Sequence, residues 1–403
     1  MRLRSLLALI CALLLPRAIF AQPGAQSPWV ATWTAALELQ RSESGKSVAL
    51  TYRNIVHTSI GGGAVRVIVT NEFGQQPLTI DAASIALSKG ASSIDKPKLL
   101  TFSGQSSITL PVGTKALSDP EEIELPPLAD LAVSLFIPAQ PMTQLTLHSY
   151  ALQSNYIAEG NGADTLTLDS PKETHSWYFL KGIEVQPAKS SGVIVALGDS
   201  ITDGALSPPN TNTRWPDDLS ARLQADKALK SWSVVNAGIN GNRLLHDDED
   251  GTNESALRRL DRDVLTQSGV RYLIALEGIN DIGHIVSASA NDPAETAPRI
   301  IAALQQIALR AHARGIKVIG ATILPYESCK YASVEGEKIR QTVNEWIRST
   351  KNIDFVADFE KVIRDPAHPT RFLPAYDSGD HLHPNAAGLR AMADSIDLRI
   401  FSH

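Results

Sequence analysis

The amino-acid sequence predicts an α/β protein of two domains: a β-sandwich of jelly-roll-like type, followed by a three-layer α/β/α domain with five parallel strands. Up to about residue 188, short segments that alternate apolar and polar residues are separated by turn residues. From residue 189 onward, nearly continuous apolar segments alternate with amphipathic ones. The chain has 403 residues, more than one ordinary domain contains. We therefore expect a β-sandwich accessory domain at 22–188 and an α/β domain at 189–403.

The first domain is predicted from its strands and turns. Val65–Asn71 alternates and ends at a turn residue, Leu131–Ile137 stops at Pro138, and Leu145–His148 places leucines on one face. Turn-rich stretches lie between these segments, and no long segment has a convincing helical period. Short strands with frequent turn signals are typical of a sandwich or a jelly roll.

The second domain is predicted from its apolar runs. Its strand candidates are apolar almost throughout, as expected for parallel strands that are buried on both faces. They are Val193–Leu197, Val234–Ile239, Tyr272–Leu276, Val318–Leu324 and Phe355–Phe359. Two further segments carry apolar residues at helical spacing. These helical faces are Ile300, Leu304, Ile307, Ala308 and Ala311, and then Leu389, Met392, Ala393, Ile396 and Ile400. Five βα units predict a flavodoxin-like sheet, whose ligand site lies beyond the carboxyl ends of its strands.

Residues 1–21 are predicted to be a signal peptide. A short basic start precedes the apolar run Leu6–Leu15, which is too short to span a bilayer comfortably, and Ala21 is a small residue before a polar segment. The alternative is an uncleaved anchor, which the short run disfavours. We therefore expect a secreted or periplasmic protein. After cleavage Cys329 is the only cysteine, so no internal disulfide is expected.

The composition narrows the classes of partner. Apolar residues make up 43% of the chain and charged residues 20%, as in a soluble globular protein. The net charge of -6 gives no electrostatic reason to expect nucleic acid or an anionic membrane as partner, and no stable membrane insertion is expected. The sequence contains no P-loop, no dinucleotide fingerprint and no cluster with metal-ligand spacing, so neither a cofactor nor a metal is expected.

Four short motifs lie just after predicted strands, where the chemistry of such a sheet belongs. They are Gly198–Gly204, Asn236–Arg243, Gly278–Asp281 and Asp380–Asn385. In this order, the set resembles the four sequence blocks of the SGNH (GDSL-like) hydrolase superfamily. Any one block alone is a weak signal, but all four at strand ends are specific. The resemblance covers the second half of the chain and implies a serine esterase.

This resemblance implies that Ser200 is the nucleophile and His383 its base. A hydroxyl at neutral pH is a poor nucleophile and needs an adjacent base. The family pattern of Asp, two residues, then His selects Asp380, which would fix the tautomer of His383 and stabilise the imidazolium. Taken alone, Ser200 would be read as a turn serine that caps the next helix. His381 is the alternative base.

The resemblance also implies an oxyanion hole, the set of donors that stabilises the tetrahedral intermediate. Its donors would be the backbone N–H groups of Ser200 and Gly241 and the side-chain amide of Asn280. Glycine at 241 would let the backbone approach closely. Gly238 is the close alternative to Gly241, and Asn280 taken alone would be a turn residue.

Other residues near the motifs have weaker assignments. Asp199 is expected to bond the loop backbone, and Trp215 to lie in the core. Arg243 is either a ligand for a substrate carboxylate or sugar hydroxyl, or a surface arginine. His246 and His284 are expected to be loop residues. A possible sugar platform, better explained as buried sandwich aromatics, consists of Trp29, Trp33, Trp177 and Tyr178.

These interpretations together predict a secreted serine carboxylester hydrolase that acts through an acyl-enzyme. A β module before such a domain resembles the layout of bacterial carbohydrate esterases, which implies deacetylation of carbohydrates or other short-chain esters. The alternatives are a lipase or lysophospholipase-type acylhydrolase, transfer of the acyl group to a sugar, and, in a different class, a non-catalytic carbohydrate-binding surface protein. The sequence shows no obvious apolar lid, which favours short acyl groups.

Overall fold

A computed structural model of the chain describes residues 29–42, 48–189, 191–284 and 293–402. The predicted signal peptide at 1–21 lies outside the described residues. Among the helices within these ranges, none is long and apolar enough to cross a bilayer.

The first part of the chain is built from strands. In chain order they are β1 (Val30–Thr34), β2 (Glu38–Arg41), β3 (Leu50–His57), β4 (Gly62–Thr70), β5 (Leu78–Ile80), β6 (Ala82–Leu87), β7 (Lys98–Leu99), β8 (Ile108–Leu110), β9 (Lys115–Leu117), β10 (Glu121–Leu125), β11 (Asp130–Ile137), β12 (Gln144–His148), β13 (Asn155–Glu159), β14 (Lys172–Thr174), β15 (Trp177–Tyr178) and β16 (Leu180–Gln186). A six-stranded sheet has the order β14-β13-β3-β11-β6-β7, and a second sheet has the order β1-β16-β4-β10, with β9 beside β4. Smaller sheets, β15-β12-β2 and β5-β8, complete the region.

The pairing in these sheets is antiparallel, as the predicted sandwich requires. Strand β11 pairs with β3 over eight residues, from Asp130 opposite His57 to Ile137 opposite Leu50. Side chains of β11 are buried almost throughout, so this central strand lies between apolar layers on both of its faces. The predicted antiparallel β-sandwich is confirmed.

The second part of the chain alternates strands and helices. In chain order these are β17 (Gly192–Gly198), α1 (Ser200–Asp203), α2 (Trp215–Ala225), β18 (Trp232–Gly238), α3 (Ala256–Leu260) continued by a π-helical turn (Asp261–Leu265), β19 (Val270–Leu276), α4 (Ile279–His284), α5 (Pro293–His312), β20 (Lys317–Ala321), α6 (Val334–Ser349), β21 (Phe355–Ala357), α7 (Phe359–Ile363), α8 (Ala386–Ser395) and a 3-10 turn (Leu398–Phe401). The five strands are parallel, in the order β18-β17-β19-β20-β21. This is the flavodoxin-like order, and the predicted α/β/α domain is confirmed.

Three predicted boundaries are wrong by a few residues, each for a local reason. Strand β20 ends at Ala321 rather than at residue 324, because the Asn344 side chain accepts the N–H of Ile323 at 2.7 Å. Strand β21 ends before residue 359, where Asp358 caps α7. The last helix ends at residue 395, so Ile400 lies in the separate 3-10 turn.

His284 ends helix α4 and is therefore not the loop residue that the sequence predicted.

The two parts pack against each other through a shared apolar core, and polar bonds cross the boundary. The Ala31 N–H donates to the carbonyl of Ser268 at 3.0 Å. The hydroxyl of Ser59 lies 2.7 Å from that of Ser220 and accepts the N–H of Val234 at 2.8 Å. Buried apolar residues from both parts belong to one continuous cluster. Strands β1 to β16, hereafter the β region, thus pack directly against the α/β domain.

Candidate active site

Ser200, His383 and Asp380 form one hydrogen-bonded chain at the carboxyl edge of the parallel sheet. Ser200 follows strand β17 and begins helix α1. Its Oγ lies 2.8 Å from Nε2 of His383, although 183 positions separate the two residues. On the other side of the ring, Nδ1 lies 2.6 Å from Oδ2 of Asp380. With the ring protonated at Nδ1, His383 donates to the carboxylate and accepts the proton of the serine hydroxyl.

The Asp380 carboxylate is held in its ionised form. Partial burial favours the neutral acid, but the His383 ring N–H and the backbone N–H groups of His383 and Leu382 outweigh it and lower the pKa of Asp380 to about 2. The backbone bonds to Oδ1 are 2.9 and 3.0 Å long. The short Asp–x–x–His spacing therefore brings the two side chains together from a single loop, without help from a distant element.

His381 points to a different partner. Its Nδ1 lies 2.5 Å from Oδ2 of Asp377, and its own backbone adopts a left-handed φ of 61°. The structure thus brings His383, and not His381, to the hydroxyl of Ser200.

The turn that presents Ser200 depends on a glycine and on a buried carboxylate. A Cβ at Gly198 would lie 2.1 Å from Oγ1 of Thr202, so only glycine fits between strand and helix. Asp199 caps α1, since its Oδ1 accepts the N–H of Ile201 at 2.9 Å, as the sequence predicted. Burial, with a further contribution from the nearby Asp281, raises the pKa of Asp199 to about 7.

The loop after β18 carries Gly241 beside the side chain of Asn280. Gly241 has a left-handed φ of 76°, which a glycine adopts without strain. The Asn280 amide Nδ2 donates to the carbonyl of Asn242 at 2.9 Å, which leaves its second N–H available. The N–H of Gly238, the alternative donor, is already bonded to Oδ1 of Asn236 at 2.8 Å. This contact favours Gly241 over Gly238.

Asp281 had no predicted role, yet it holds the same loop. Its two carboxylate oxygens accept the N–H groups of Leu244 and Leu245 at 2.7 and 2.9 Å. The successive residues Asn280 and Asp281 therefore anchor the Gly241 loop at several points. The sequence signal was present, because Asp281 lies inside one of the four motifs, but its acceptor role appears only when the loops meet.

His148, from the β region, contacts the nucleophile helix, which the sequence did not predict. The ring is almost fully buried. Its Nδ1–H donates to the carbonyl of Ala36 at 2.7 Å. Its Nε2 lies 3.0 Å from Oδ1 of Asp203, the last residue of α1. Burial alone would lower the pKa of His148, but the carboxylates of Asp203 and Glu38 and the Ala36 carbonyl raise it to about 9. A buried imidazolium–carboxylate pair therefore connects the two regions behind Ser200.

Stability should depend on pH through this pair. The folded pKa of His148, about 9, exceeds the ordinary value of 6.5, so its contribution is complete below pH 6.5 and disappears as pH rises through 9. The contribution at low pH is about 3 kcal/mol, because a tenfold change in proton affinity is worth about 1.4 kcal/mol. We expect the difference in unfolding free energy between the wild type and His148→Gln to shrink steadily from pH 6 to pH 10.

Urea unfolding at a series of pH values measures this difference. His312→Gln is the matched control, because His312 makes a comparable bond of 2.7 Å to Asp354 at a solvent-exposed site where water screens the pair. A difference between the wild type and His148→Gln that stays constant over this range would contradict a charged His148.

The remaining assignments are settled by burial and contacts. Trp33 and Trp177 are buried and meet edge to face at 4.9 Å, and Trp215 is fully buried in the core. Trp29 lies under the guanidinium of Arg66. The side chain of Arg243 is bonded within its own loop, donating from Nη2 to the carbonyl of Asp247 at 2.6 Å. Within residues 29–42, 48–189, 191–284 and 293–402, no group of acidic residues, histidines and cysteines has metal-binding geometry.

Comparison with known families identifies the second half of the chain. Residues 196–391 match the model of the GDSL-like Lipase/Acylhydrolase family. This range includes all four motifs, from Gly198 to Asn385. No curated protein matches the chain.

Several solved structures align with about half of the chain. A GDSL-like lipase from Bacteroides thetaiotaomicron is 21% identical, with 54% of this chain and 91% of that chain covered and a TM-score of 0.38. An aryl esterase from M. smegmatis is 18% identical, with 53% and 99% covered and a TM-score of 0.41. An acetyl xylan esterase from Geobacillus stearothermophilus is 22% identical, with 52% and 93% covered and a TM-score of 0.40.

Proposed function

Since residues 196–391 form a GDSL-like lipase/acylhydrolase domain, which makes the protein an enzyme that acts on ester bonds, we propose that Ser200, His383 and Asp380 carry out the reaction through an acyl-enzyme. The single observation that carries this proposal is the continuous chain of hydrogen bonds from Ser200 Oγ through both ring nitrogens of His383 to Asp380. This arrangement of nucleophile, base and orienting carboxylate activates a serine for acyl transfer.

In the first half of the reaction, Oγ of Ser200 attacks the ester carbonyl carbon while its proton passes to Nε2 of His383. The carbonyl electron pair moves onto oxygen, and the charged imidazolium is stabilised by the ionised Asp380. When the intermediate collapses, the C–O bond to the alcohol breaks, and the proton on Nε2 passes to the departing oxygen. Asp380 itself stays ionised, in keeping with its lowered pKa of about 2.

The second half of the reaction repeats these steps with water. Nε2 of His383 removes a proton from a water molecule, whose oxygen attacks the acyl carbon. When this second intermediate collapses, the bond to Oγ of Ser200 breaks, the carboxylic acid leaves, and the proton on Nε2 returns to Oγ. In both halves the oxyanion requires donors that are already in place. We propose the backbone N–H groups of Ser200 and Gly241 and the free N–H of the Asn280 amide for this task, since Asn242 and Asp281 hold this part of the site.

We propose that the natural substrates are short-chain esters, such as acetyl groups on carbohydrates. The two-part layout supports this, because a β region before such a domain resembles the layout of bacterial carbohydrate esterases. The rim of the site supports it too, since Gly379, Asp380 and His381 form an exposed polar edge that suits hydroxylated substrates better than long acyl chains.

Two sets of assays test this proposal. The first compares p-nitrophenyl acetate, butyrate and longer esters, with Ser200→Ala as the inactive control. The second measures acetate released from a panel of acetylated polysaccharides. We expect the acetyl ester to be preferred and acetate to be released only by the wild type. Preference for long acyl esters would instead indicate a lipase-type acylhydrolase, and glycan binding without ester cleavage would indicate a binding protein.

We also propose that the enzyme acts outside the cytoplasm, on the basis of the predicted signal peptide at 1–21. Expression of the full chain with N-terminal sequencing of the exported product tests this. A mature N-terminus next to Ala21 is expected, and retention of the uncleaved chain in the cytoplasm would contradict it.

A further inference from the structure

Arg259 is a fully buried arginine whose donors are aimed at the backbone of the active-site loops. It lies on helix α3 and has no exposed side-chain surface. Its Nη2 donates to the carbonyl of Gly198 at 3.0 Å, its Nη1 to the carbonyl of Ala237 at 2.7 Å, and its Nε to Oδ1 of Asn242 at 2.9 Å. One rigid, planar group thus contacts the carboxyl ends of β17 and β18 and the loop that follows β18.

Each of these contacts is close in sequence to a proposed catalytic group. Gly198 is two residues before Ser200. Asn242 follows Gly241 directly, and its own carbonyl accepts the amide of Asn280 at 2.9 Å. Nη2 of Arg259 also lies 3.5 Å from the carboxyl of Glu277, the residue that directly follows β19. The guanidinium therefore lies under the three loops that carry the nucleophile and the oxyanion-hole donors.

The β region reaches Arg259 through a buried ionic chain. Asp263 lies 3.3 Å from Nη1 of Arg259 through one oxygen and 2.6 Å from Nζ of Lys181 through the other. Lys181 belongs to strand β16 of the β region, is 4% exposed, and also donates to the carbonyl of Ala35 at 2.8 Å. The attraction of Lys181, Arg262 and Arg259 outweighs burial and holds the pKa of Asp263 far below its usual range. Asp263 is therefore held as a carboxylate between these cations.

We propose that Arg259 is a positioning residue that holds the loops of Ser200, Gly241 and Asn280 in fixed positions relative to one another. We propose further that Lys181 of the β region fixes the position of Arg259 through Asp263. This proposal rests on the proposed function, because it concerns the loops of that same site. It makes the β region part of the catalytic apparatus and not only an accessory module.

The physical basis is the precision that an oxyanion hole requires. Donors must lie near 3 Å from the developing oxyanion, and a displacement of about 1 Å costs about 10²-fold in rate. Lysine at 259 would keep the charge but lose the fork of donors that bonds three carbonyl-type oxygens at once. The loops would remain present, but their relative positions would no longer be set by one rigid group.

Arg259→Lys tests the proposal, with Arg53→Lys as the matched control. Arg53 is also fully buried and also donates to several backbone carbonyls, those of Ser92, Gly162 and Thr165, but within the β-sandwich. We expect both variants to lose thermal stability. Only Arg259→Lys should lower kcat, by about 10²-fold, with KM changed far less.

A second measurement separates misplaced donors from a generally weakened fold. A trifluoromethyl ketone forms a tetrahedral adduct with Ser200, in which the hydroxyl proton passes to His383 and the ketone oxygen becomes an oxyanion. If Arg259 sets the oxyanion hole, the affinity for this ketone falls by the same factor as kcat/KM. A stable Arg259→Lys variant with wild-type kcat, or a loss of kcat with unchanged affinity for the ketone, would overturn the proposal.

Lys181→Met tests the connection between Arg259 and the β region. It also tests the proposal if the Arg259→Lys variant does not fold. Asp263 keeps Arg259 and Arg262 as partners in this variant, so folding is less endangered. We expect a smaller loss of kcat in the same direction, and a folded Lys181→Met enzyme with wild-type kcat would refute this connection. Failure of the proposed function has a different signature: the wild type would show no more ester cleavage than Ser200→Ala.

Discussion

Replacing His383 by alanine is expected to lower kcat for ester hydrolysis by about 10⁴- to 10⁶-fold, while KM changes little and the protein stays folded. The hydroxyl of Ser200 is 2.8 Å from Nε2, and within the described part of the chain this ring is the base that it contacts. Without the imidazole, the serine proton has no acceptor and the leaving alcohol has no donor. Steady-state kinetics with p-nitrophenyl acetate measure the loss of kcat, and the melting temperature of the variant shows whether it is folded.

His381→Ala provides the matched control for this experiment. The two histidines are two residues apart on the same loop, and both rings contact an aspartate, but His381 bonds Asp377 on the exposed side. We expect His381→Ala to keep kcat within a few-fold of the wild type. Loss of activity in His381→Ala together with retained activity in His383→Ala would exchange the roles of the two residues.

Replacing Asn280 by alanine is expected to lower kcat by about 10²- to 10³-fold, the usual consequence of removing one oxyanion donor. The amide is 6% exposed and tied to the Asn242 carbonyl, so it is already oriented before substrate arrives. Because the oxyanion exists only in the transition state and intermediate, the loss should appear in kcat and leave KM nearly unchanged. Kinetics with the acetyl ester test both parts of this expectation.

Asn344→Ala is the control for this substitution. Asn344 is also buried, and its amide bonds the backbone N–H and carbonyl of Ile323 and the carboxylate of Glu360. Its removal should lower stability by about 1–3 kcal/mol, since buried polar groups lose their partners, while kcat is retained. Equal losses of kcat in the two variants would show that Asn280 acts through packing and not as a donor.

Much of the architecture could be predicted from local pattern. The strand cores, such as β17 and β19, are apolar on both faces because helices cover both sides of a parallel sheet, so their sequence alone marks them. Their ends were less predictable. Ile323 continues the apolar run of β20, but a side chain from α6 takes its N–H and ends the strand. Such competition depends on a partner 21 positions away.

The sequence by itself determined which residues are available for chemistry, because parallel strands bring their carboxyl ends to one edge and motifs placed there must meet. Ser200, His383 and Asp380 could thus be proposed from the four motifs, through the resemblance of those motifs to the SGNH hydrolases. The tertiary structure decided what holds them. His148, Lys181 and Arg259 bond to backbone carbonyls and to carboxylates that are distant along the chain. Every residue has a backbone carbonyl, so a sequence pattern cannot show which carbonyl accepts such a bond. His148 and Lys181 make these bonds where the β region and the α/β domain pack together, and Arg259 makes them where three loops of the α/β domain meet.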